Sequence, residues 1–528
     1  MATETLTSIA DGLRRNAADR PEKTATIFGD RETNYRQLDA FCSQVSNGLL
    51  AENLKPQDRI AYIGKNSDLG VQLQFGVNKA NMVWTPINWR LAAPEIVGIV
   101  NHSDARILFV GPEFIDLVAE IRNQLNTVEK VISLDPSPRA DASFIDWRSA
   151  QSVADPLLES ASGDICFQLY TSGTTGVPKG VMLTNGGALG RYAGALTGET
   201  ELEDWQIQSD DDVSLWVAPN FHLSGNGSSL YSILDGGTLL VHPEFKIEPV
   251  LDAIETYKIT RCFMVPAMLK FVLDQIKSGE ADLRSLRIIT YGASPIPPEL
   301  MKEAVDLIGC GFVQMYGMTE IGASCTILNP EDHLDFDSPR LKSCGKAIAP
   351  HEIKICDPET GADLPSGQVG EVVIRTPTLM AGYYKNPEAT AKVIRNGWYH
   401  SGDAGYLDTD GYLYIVDRLK DMIVSGGENI YCSEVEATIA AHPAVADVAV
   451  IGVPSQKWGE EVKALVKLET GATLNDAELL AFTRERLAGY KVPKSVEFRD
   501  ELPRNPSGKL LKTVLREPYW KNMERRVS

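Results

Sequence analysis

The sequence predicts an α/β fold: a large N-terminal domain of mixed and parallel sheets flanked by helices, with a β subdomain, and then a small α+β C-terminal domain. Three observations predict it. Short apolar runs alternate with amphipathic segments from Ile60 to Ile165 and again from Val213 to Met315, the pattern of βα units around a mostly parallel sheet. Past Glu331 glycine and proline become denser and the runs shorten and alternate. After the charged stretch Asp417–Asp421 the chain begins again with strands and helices of its own, so a domain boundary falls there.

In order, Leu6, Ile9 and Leu13 mark an amphipathic first helix, and Glu4 and Asp11 argue against a signal or transit peptide. Strands are expected at 60–63, 83–87, 107–110 and 131–134, with a helix over 91–100 that turns Ile96, Ile99 and Val100 inward. Residues 165–167 read as a buried strand. Beyond it come strands at 213–217 and 238–241, a helix at 249–257, a strand at 262–265, a helix at 268–276, and strands at 286–291 and 312–315. The runs 371–375 and 412–416 suggest a small antiparallel subdomain. In the C-terminal part, strands are expected at 448–453 and 462–468, and a helix at 476–487. Ser433 with Glu436 three residues on predicts a capping box.

Composition narrows the function. The chain has 528 residues, enough for two or more domains. It carries 51 basic against 71 acidic side chains, a net charge of −20, which argues against a nucleic-acid binder. A polyanionic substrate must then be met by a local cluster of cations. Eight cysteines without a C-x-x-C pair argue against a zinc ribbon and for buried thiols in a reducing compartment. No apolar run approaches the ~20 residues of a membrane span. The expected location is cytoplasmic; peripheral membrane contact and a homodimer are left open.

The stretch Tyr170–Gly180 holds the hydroxyls of Thr171, Ser172, Thr174 and Thr175, three glycines and Lys179. Glycines bring backbone N–H groups close to an anion, and hydroxyls add donors that rotate to suit phosphate oxygens. The alternative is a solvated connector. It is not a Walker A loop, because Gly173 and Gly176 are two residues apart and Gly180, not a hydroxyl, follows Lys179.

Other motifs stand at expected strand ends, where open α/β sheets bind ligands. Gly292-Ala293-Ser294 is one; Met315-Tyr316-Gly317 with Thr319 and Glu320 is another, offering a stacking face, a donor and a Mg²⁺ ligand. Asp403 on its Ser401-Gly402 turn is placed to accept from ribose hydroxyls, and Arg418 brings a planar fork of donors. Lys509 sits on a loop bounded by Pro506 and Gly508. Singly, each also reads as a plain turn, a helix cap or a solvated side chain.

Together, and in this order from about Ser8 to Leu515, they resemble the adenylate-forming superfamily of acyl-CoA synthetases, peptide-synthetase adenylation domains and firefly luciferases. The resemblance implies an N-terminal adenylation domain over 1–417, a hinge at 418–420 centred on Lys420, and a mobile C-terminal domain over 421–528. It implies that Thr171, Ser172, Gly173, Thr174, Thr175 and Lys179 hold the β- and γ-phosphates, that Glu320 holds Mg²⁺, and that Thr319 touches the α-phosphate. Tyr316 and Gly317 with Gly292, Ala293 and Ser294 would flank the adenine; Asp403 and Arg418 would fix the ribose. Lys509 would bridge the acid and the α-phosphate. Ser425, Gly426, Gly427 and Glu428 would line the path of coenzyme A after the C-terminal domain rotates. Two departures are Ser401 for a threonine, and Asp417 and Lys420 where many members have glycine and aspartate.

The implied reaction is ATP-dependent acid–CoA ligation: an acyl-adenylate forms with loss of pyrophosphate, then a thioester with loss of AMP. The end of the chain at Ser528, with no carrier-protein domain, points to free coenzyme A as acceptor. The acid pocket is expected among Phe221, His222, Gly225, Val265 and Met315, with His222 gating or lining it. Gly225 and Gly227 are read as leaving room, which favours medium- or long-chain fatty acids. The alternatives are an aryl acid, or a non-catalytic relative that binds ATP.

Overall fold

The computed structural model describes residues 6–171, 178–190, 205–206, 208–279, 281–294, 296–425, 428–504 and 510–521. The chain divides into two compact units, residues 1–352 with 374–399, and residues 353–373 with 400–528.

The first unit is built on two sheets. One has nine strands, in the order Lys346–Ala347, Ala323–Leu328, Gly311–Met318, Ile288–Gly292, Arg261–Met264, Val213–Trp216, Thr238–Val241, Thr24–Phe28 and Arg31–Asn34. From Gly311–Met318 across to Thr24–Phe28 every pair is parallel, and antiparallel strands close both edges. Buried parallel strands need apolar side chains on both faces, so they read as continuous runs. Leu215, Ile289 and Phe312 pack with Leu269, Val272 and Leu273 of the helix Pro266–Ser278. That helix starts on a proline whose missing N–H costs nothing there. It stops where Gly279 takes φ +84°, a left-handed C-cap that suits glycine.

The second sheet has eight strands, in the order Gly382–Tyr383, Lys179–Thr184, Ile165–Thr171, Val83–Pro86, Arg59–Ile63, Ile107–Val110, Lys130–Ser133 and Ala142–Ser143. Ile165–Thr171 and Lys179–Thr184 form an antiparallel hairpin in which Thr171 faces Lys179. Lys179 therefore opens a strand and not a helix, which separates this loop from the strand–loop–helix of a Walker A site by topology as well as by spacing. The helix expected over 91–100 runs from Ala93 to Ser103 and does bury Ile96, Ile99 and Val100.

The second unit carries a small sheet through residues 353–356, 370–373, 400–407 and 413–418. A second sheet holds Ile423–Ser425, Glu428–Ile430, Val445–Ser455, Gly459–Leu468 and Ser495–Phe498. Ile423, Val435, Val450 and Val462 form its core. The expected capping box is not formed. The helix Cys432–Ala440 has Tyr431 as its N-cap with no side-chain cap. Ser433 instead donates its N–H to Asp417 Oδ2 at 3.1 Å and its hydroxyl to the Val416 carbonyl. Glu436 accepts the Val450 N–H at 2.7 Å and pairs with Lys512 at 2.8 Å. Half-buried tertiary partners outcompete the local box, which would have satisfied only helix-end N–H groups.

One buried charge cluster ties the N-terminal helices of the first unit together. Lys79 is 0% exposed, with Nζ 2.6 Å from Asp39 Oδ1, 2.7 Å from Asp155 Oδ2 and 2.9 Å from Ser43 Oγ. Burial works to raise the Asp155 pKa, but hydrogen bonds from Arg14 and Lys79 outweigh it and hold the carboxyl below the usual carboxylate range. Removing one member strands the others. Lys79→Met is expected to cost about 3–5 kcal/mol of unfolding free energy at pH 7, read in urea. Because the folded Asp155 pKa is depressed, its contribution is present above about pH 4 and fades as pH falls further, so the wild type should lose its advantage there.

Candidate active site

Parallel strands deliver the loops that follow them to one edge of a sheet, and a ligand site forms there. In the nine-stranded sheet Trp216, Met264 and Gly292 end three adjacent parallel strands beside Gly311–Met318. The sequence-expected residues fall in order along that edge: Phe221 and His222 after the first strand, Val265 after the second, Gly292, Ala293 and Ser294 at the end of the third. Met315, Tyr316 and Gly317 lie in the last turns of the fourth, with Thr319 and Glu320 just beyond.

The expected adenine side is shaped by backbone contact. A Cβ at Gly292 would stand 2.4 Å from the Met315 carbonyl, and one at Gly317 would stand 2.3 Å from that of Ala323. Both glycines are required by neighbouring strands of the protein itself. Ala293 takes φ +69°, a left-handed conformation that an L-residue holds only when its surroundings impose it, and such strain gathers at functional turns.

On the expected acid side Phe221 is buried and meets two rings edge-on, His222 at 4.6 Å and Trp89 at 6.0 Å, and the Trp89 ring carries Arg90 at 4.6 Å. Trp89 and Arg90 were not among the expected site residues; they arrive from a loop more than a hundred residues earlier. Burial, reinforced by the Arg90 charge, lowers the His222 pKa to about 4, so the ring is neutral near pH 7, and its buried Nε2 has no hydrogen-bond partner. Of the two glycines read as leaving room, Gly227 meets only the Tyr231 ring, at 3.7 Å. Gly225 does not leave room: a Cβ there would lie 2.0 Å from the Pro219 carbonyl, so that space is already backbone.

Glu320 lies in a short 3-10 turn, Thr319–Ile321. Its Oε1 accepts the Tyr383 hydroxyl at 3.0 Å. Burial, and then the Glu320 charge, raise the Tyr383 pKa, so the phenol remains a donor. Lys179 Nζ sits 4.9 Å from the centre of the same ring. Tyr383 thus brings the expected metal carboxylate and the expected phosphate cation to one side chain. Nothing local in the sequence singles out Tyr383; only its pairing with the strand Lys179–Thr184 does. Among the described residues no cluster of three His, Cys, Asp or Glu side chains could hold a metal. Magnesium fits this economy, since it takes one or two carboxylates and completes its shell with substrate phosphates and water.

In the second unit Asp403 and Arg418 face each other across neighbouring strands, with Arg418 Nε 2.6 Å from Asp403 Oδ1. Ser401 accepts the Asp403 N–H at 3.0 Å and donates to the Val372 carbonyl at 2.6 Å. Glu371 takes the His400 ring nitrogen at 2.7 Å and the Gly402 N–H at 3.2 Å, fixing the turn, at which Gly402 has φ +69°. Lys420 follows directly, in a turn closed by the Asp421 N–H to the Arg418 carbonyl at 2.9 Å. Ser425 and Glu428 pair across a hairpin. Ser172, Gly173, Thr174, Thr175, Gly426, Gly427 and Lys509 lie outside the described residues.

Residues 13–384 match the family described as AMP-binding enzyme, and residues 434–509 match the AMP-binding enzyme C-terminal domain. The chain belongs to the AMP-binding enzyme family, in the acyl-CoA synthetase branch of the adenylate-forming superfamily, and is an AMP-forming enzyme of that class. It is 38% identical to a feruloyl-CoA synthase of an Amycolatopsis species, over 96% of this chain and 98% of that one. It is 36% identical to a fatty acid–[acyl-carrier-protein] ligase of Streptomyces coeruleorubidus, over 97% and 96%. The ATP-bound crystal structure of MatB from Rhodopseudomonas palustris matches with a TM-score of 0.85 at 29% identity, covering 98% of this chain and 100% of that one.

Tyr383→Phe keeps the ring under Lys179 and removes the hydroxyl from Glu320. The expected outcome is a fall of about tenfold in the rate of ATP-dependent pyrophosphate release, equivalent to one charge-assisted hydrogen bond, with the thermal midpoint nearly unchanged. A stopped assay in saturating ATP and Mg²⁺ measures it.

Proposed function

We propose that this enzyme activates a medium- or long-chain fatty acid and transfers it to free coenzyme A in the cytoplasm. The convergence of Glu320 and Lys179 on Tyr383 is the observation that carries the adenylation half of the reading. A carboxylate approaching a triphosphate meets like charge, so the reaction needs cations placed where charge builds up. Magnesium on Glu320 would offset charge on the phosphates. Lys179 and the hydroxyls of Thr171, Ser172, Thr174 and Thr175 hold the leaving pyrophosphate. Thr319 and Lys509 donate to the α-phosphate, while Asp403 accepts from the ribose. The acid oxygen forms its bond to the α-phosphorus as the bond to the β-phosphate oxygen breaks, and pyrophosphate departs. The thiol sulfur then attacks the acyl carbon, AMP leaves with the electron pair, and the thiol proton passes to solvent.

The second half needs Lys509 out of the way. Residues 421–528 would rotate about Lys420 and bring Ser425–Glu428 to the anhydride. None of the eight cysteines is in a disulfide, which supports a reducing cytoplasmic setting. No helix among the described residues is long and apolar enough to cross a membrane.

For the acid, the apolar lining of Phe221, Val265 and Met315 with a neutral His222 supports an uncharged tail. An aryl acid is the second reading, favoured by the edge-on Trp89–Phe221 pair against which a ring could stack.

A panel of straight-chain and aryl acids, assayed for AMP formation with CoA and with an acyl-carrier protein, tests both readings. Fatty acids of about eight carbons or more are expected to turn over fastest with CoA. Turnover confined to ferulate-like acids would select the second reading, and transfer to carrier protein alone would overturn the choice of acceptor. Lys509→Ala is expected to lower adenylation at least about 100-fold while thioester formation from a supplied acyl-adenylate persists. Gly427→Trp should show the reverse. Equal loss in both halves by both variants would count against alternation about Lys420.

A further inference from the structure

The phosphate loop leaves the second sheet through Tyr170 and returns through Gly180, and these two residues face each other across the hairpin. The Tyr170 hydroxyl lies 3.0 Å from Gln168 Nε2 and 2.8 Å from His102 Nδ1. The direction of both bonds can be worked out. Gln168 is fully buried, and its Oε1 accepts from Arg59 Nε at 3.2 Å, so its NH₂ faces Tyr170 and donates. The hydroxyl has a single proton. Accepting from Gln168 leaves that proton for His102 Nδ1, the arrangement that gives it a partner, and we assign the imidazole on that ground as the Nε2–H tautomer.

His102 also reaches the other side of the hairpin. Its ring lies edge-on at 5.8 Å to both Tyr170 and Tyr384. Tyr384 donates its N–H to the Gly180 carbonyl at 2.8 Å and its hydroxyl to Asp104 Oδ2 at 2.7 Å, and Asp104 is the C-cap of the helix that ends one residue after His102. A Cβ on Gly180 would press on Gln168 Nε2 and the Tyr170 ring, each at 3.2 Å, so the assembly has little slack.

We propose that His102 is a positioning residue for the ATP phosphates: through Tyr170 on one flank and Tyr384 on the other, it sets where the two ends of the phosphate loop, Thr171 and Lys179, stand. The proposal rests on the reading that this loop binds ATP. Charged and titratable groups around the ring are Tyr170 on its strand, Arg59 two strands away in the same sheet, and Tyr384, Lys385 and Asp104 at the helix end, with Lys385 Nζ 3.4 Å from the His102 carbonyl. Burial first, and Lys385 second, depress the His102 pKa below that of an ordinary imidazole. The ring is therefore neutral at pH 7. A proton on Nδ1 would turn the acceptor into a donor and leave the Tyr170 hydroxyl hydrogen without a partner, so ATP binding should weaken only on the acid side of the ordinary imidazole value.

The test uses steady-state pyrophosphate release by the full-length enzyme. His102→Leu removes the acceptor and is expected to raise KM for ATP about tenfold, about 1.4 kcal/mol, within the cost of leaving a buried hydroxyl unpaired. The kcat and the KM for the acid should hold within about twofold. His102→Asn puts an amide oxygen where Nδ1 stands; it should recover most of the ATP affinity and remove the acid-side rise in KM. Tyr170→Phe should match His102→Leu, and the double variant should be no worse than either single one. If His102→Leu does not fold, Tyr170→Phe and His102→Asn decide. Unchanged KM for ATP in Tyr170→Phe, or failure of His102→Asn to rescue, overturns the proposal. Thr174→Ala separates the layers: if it raises KM for ATP while the His102 and Tyr170 variants do not, only the positioning role is wrong. If it too has no effect, the loop does not bind ATP.

Discussion

One extended segment, Thr376–Tyr384, is bonded to both sheets of the first unit, and the site depends on it. Met380 donates its N–H to the Glu320 carbonyl at 2.9 Å, and the Thr378 hydroxyl donates to that of Ile321. These bonds fix the turn that follows the nine-stranded sheet. A few residues on, Ala381 and Tyr384 donate to the carbonyls of Met182 and Gly180, in the eight-stranded sheet, at 2.9 Å and 2.8 Å. Gly322 at φ +68° passes so near the Thr378 carbonyl that a Cβ would stand 2.6 Å from it. Bringing Glu320 and Lys179 to the Tyr383 side chain requires that the sheets carrying them cannot drift apart, because a misplacement of about 1 Å in a catalytic site costs the rate heavily. A segment that hydrogen-bonds to one sheet while gripping a turn of the other meets that demand with backbone groups and the single Thr378 hydroxyl.

The electrostatics follow the same economy. A protein with a net charge of −20 that handles polyanions cannot rely on its overall field. Its cations are placed singly and held by partners: Lys179 over the Tyr383 ring, Arg418 against Asp403. In the second unit the held charges gather around Asp417–Asp421. Burial raises the pKa of Asp417 and of Glu436. Burial opposes the charged form of Lys512 as well, yet the surrounding anionic partners, Glu436 and Asp417 among them, outweigh it and raise its pKa. Arg516 pairs with Asp421 and donates to the Lys420 carbonyl at 3.3 Å. Asp417, one of the two departures from the common family pattern, thus has a structural reason: it receives the Ser433 N–H and belongs to an ionic group that anchors the helix Lys512–Trp520. That helix begins three residues after Lys509, so the group fastens the chain that follows this lysine to the Asp417–Asp421 stretch of its own unit.

What was legible in the sequence was what one face or one turn decides. The strands at 107–110 and 83–86 are buried at every position and therefore read as unbroken apolar runs. Gly292 and Gly317 stood out, though the neighbour that excludes their Cβ is the next strand and not a ligand. What was not legible depends on partners far away in the chain. Tyr383 meets Glu320 across 63 residues and His102 meets Tyr170 across 68, and no local periodicity marks either. Ser433 and Glu436 show the opposite error. Their spacing is a good local signal, and both side chains were drawn to stronger tertiary partners.

The proposed acid pocket illustrates a further limit, because an apolar lining would select by area more than by identity. His222 is neutral and offers a carboxylate no charge, while Arg90 lies over the Trp89 ring beside it. If the proposed pocket takes a fatty acid, orientation would come from its two ends preferring different surroundings: the anionic head would be drawn to cations and the tail would leave water. Each buried methylene contributes about 0.8 kcal/mol, or about fourfold in affinity, until the pocket is full, after which further carbons contribute nothing. Discrimination of this kind rises along a homologous series and then levels off. It cannot strongly reject an acid of equal area and different shape, which is why a pocket of this chemistry admits a fatty-acid reading and an aryl reading from the same residues. The chain length at which the rise stops would therefore report the depth of the proposed pocket.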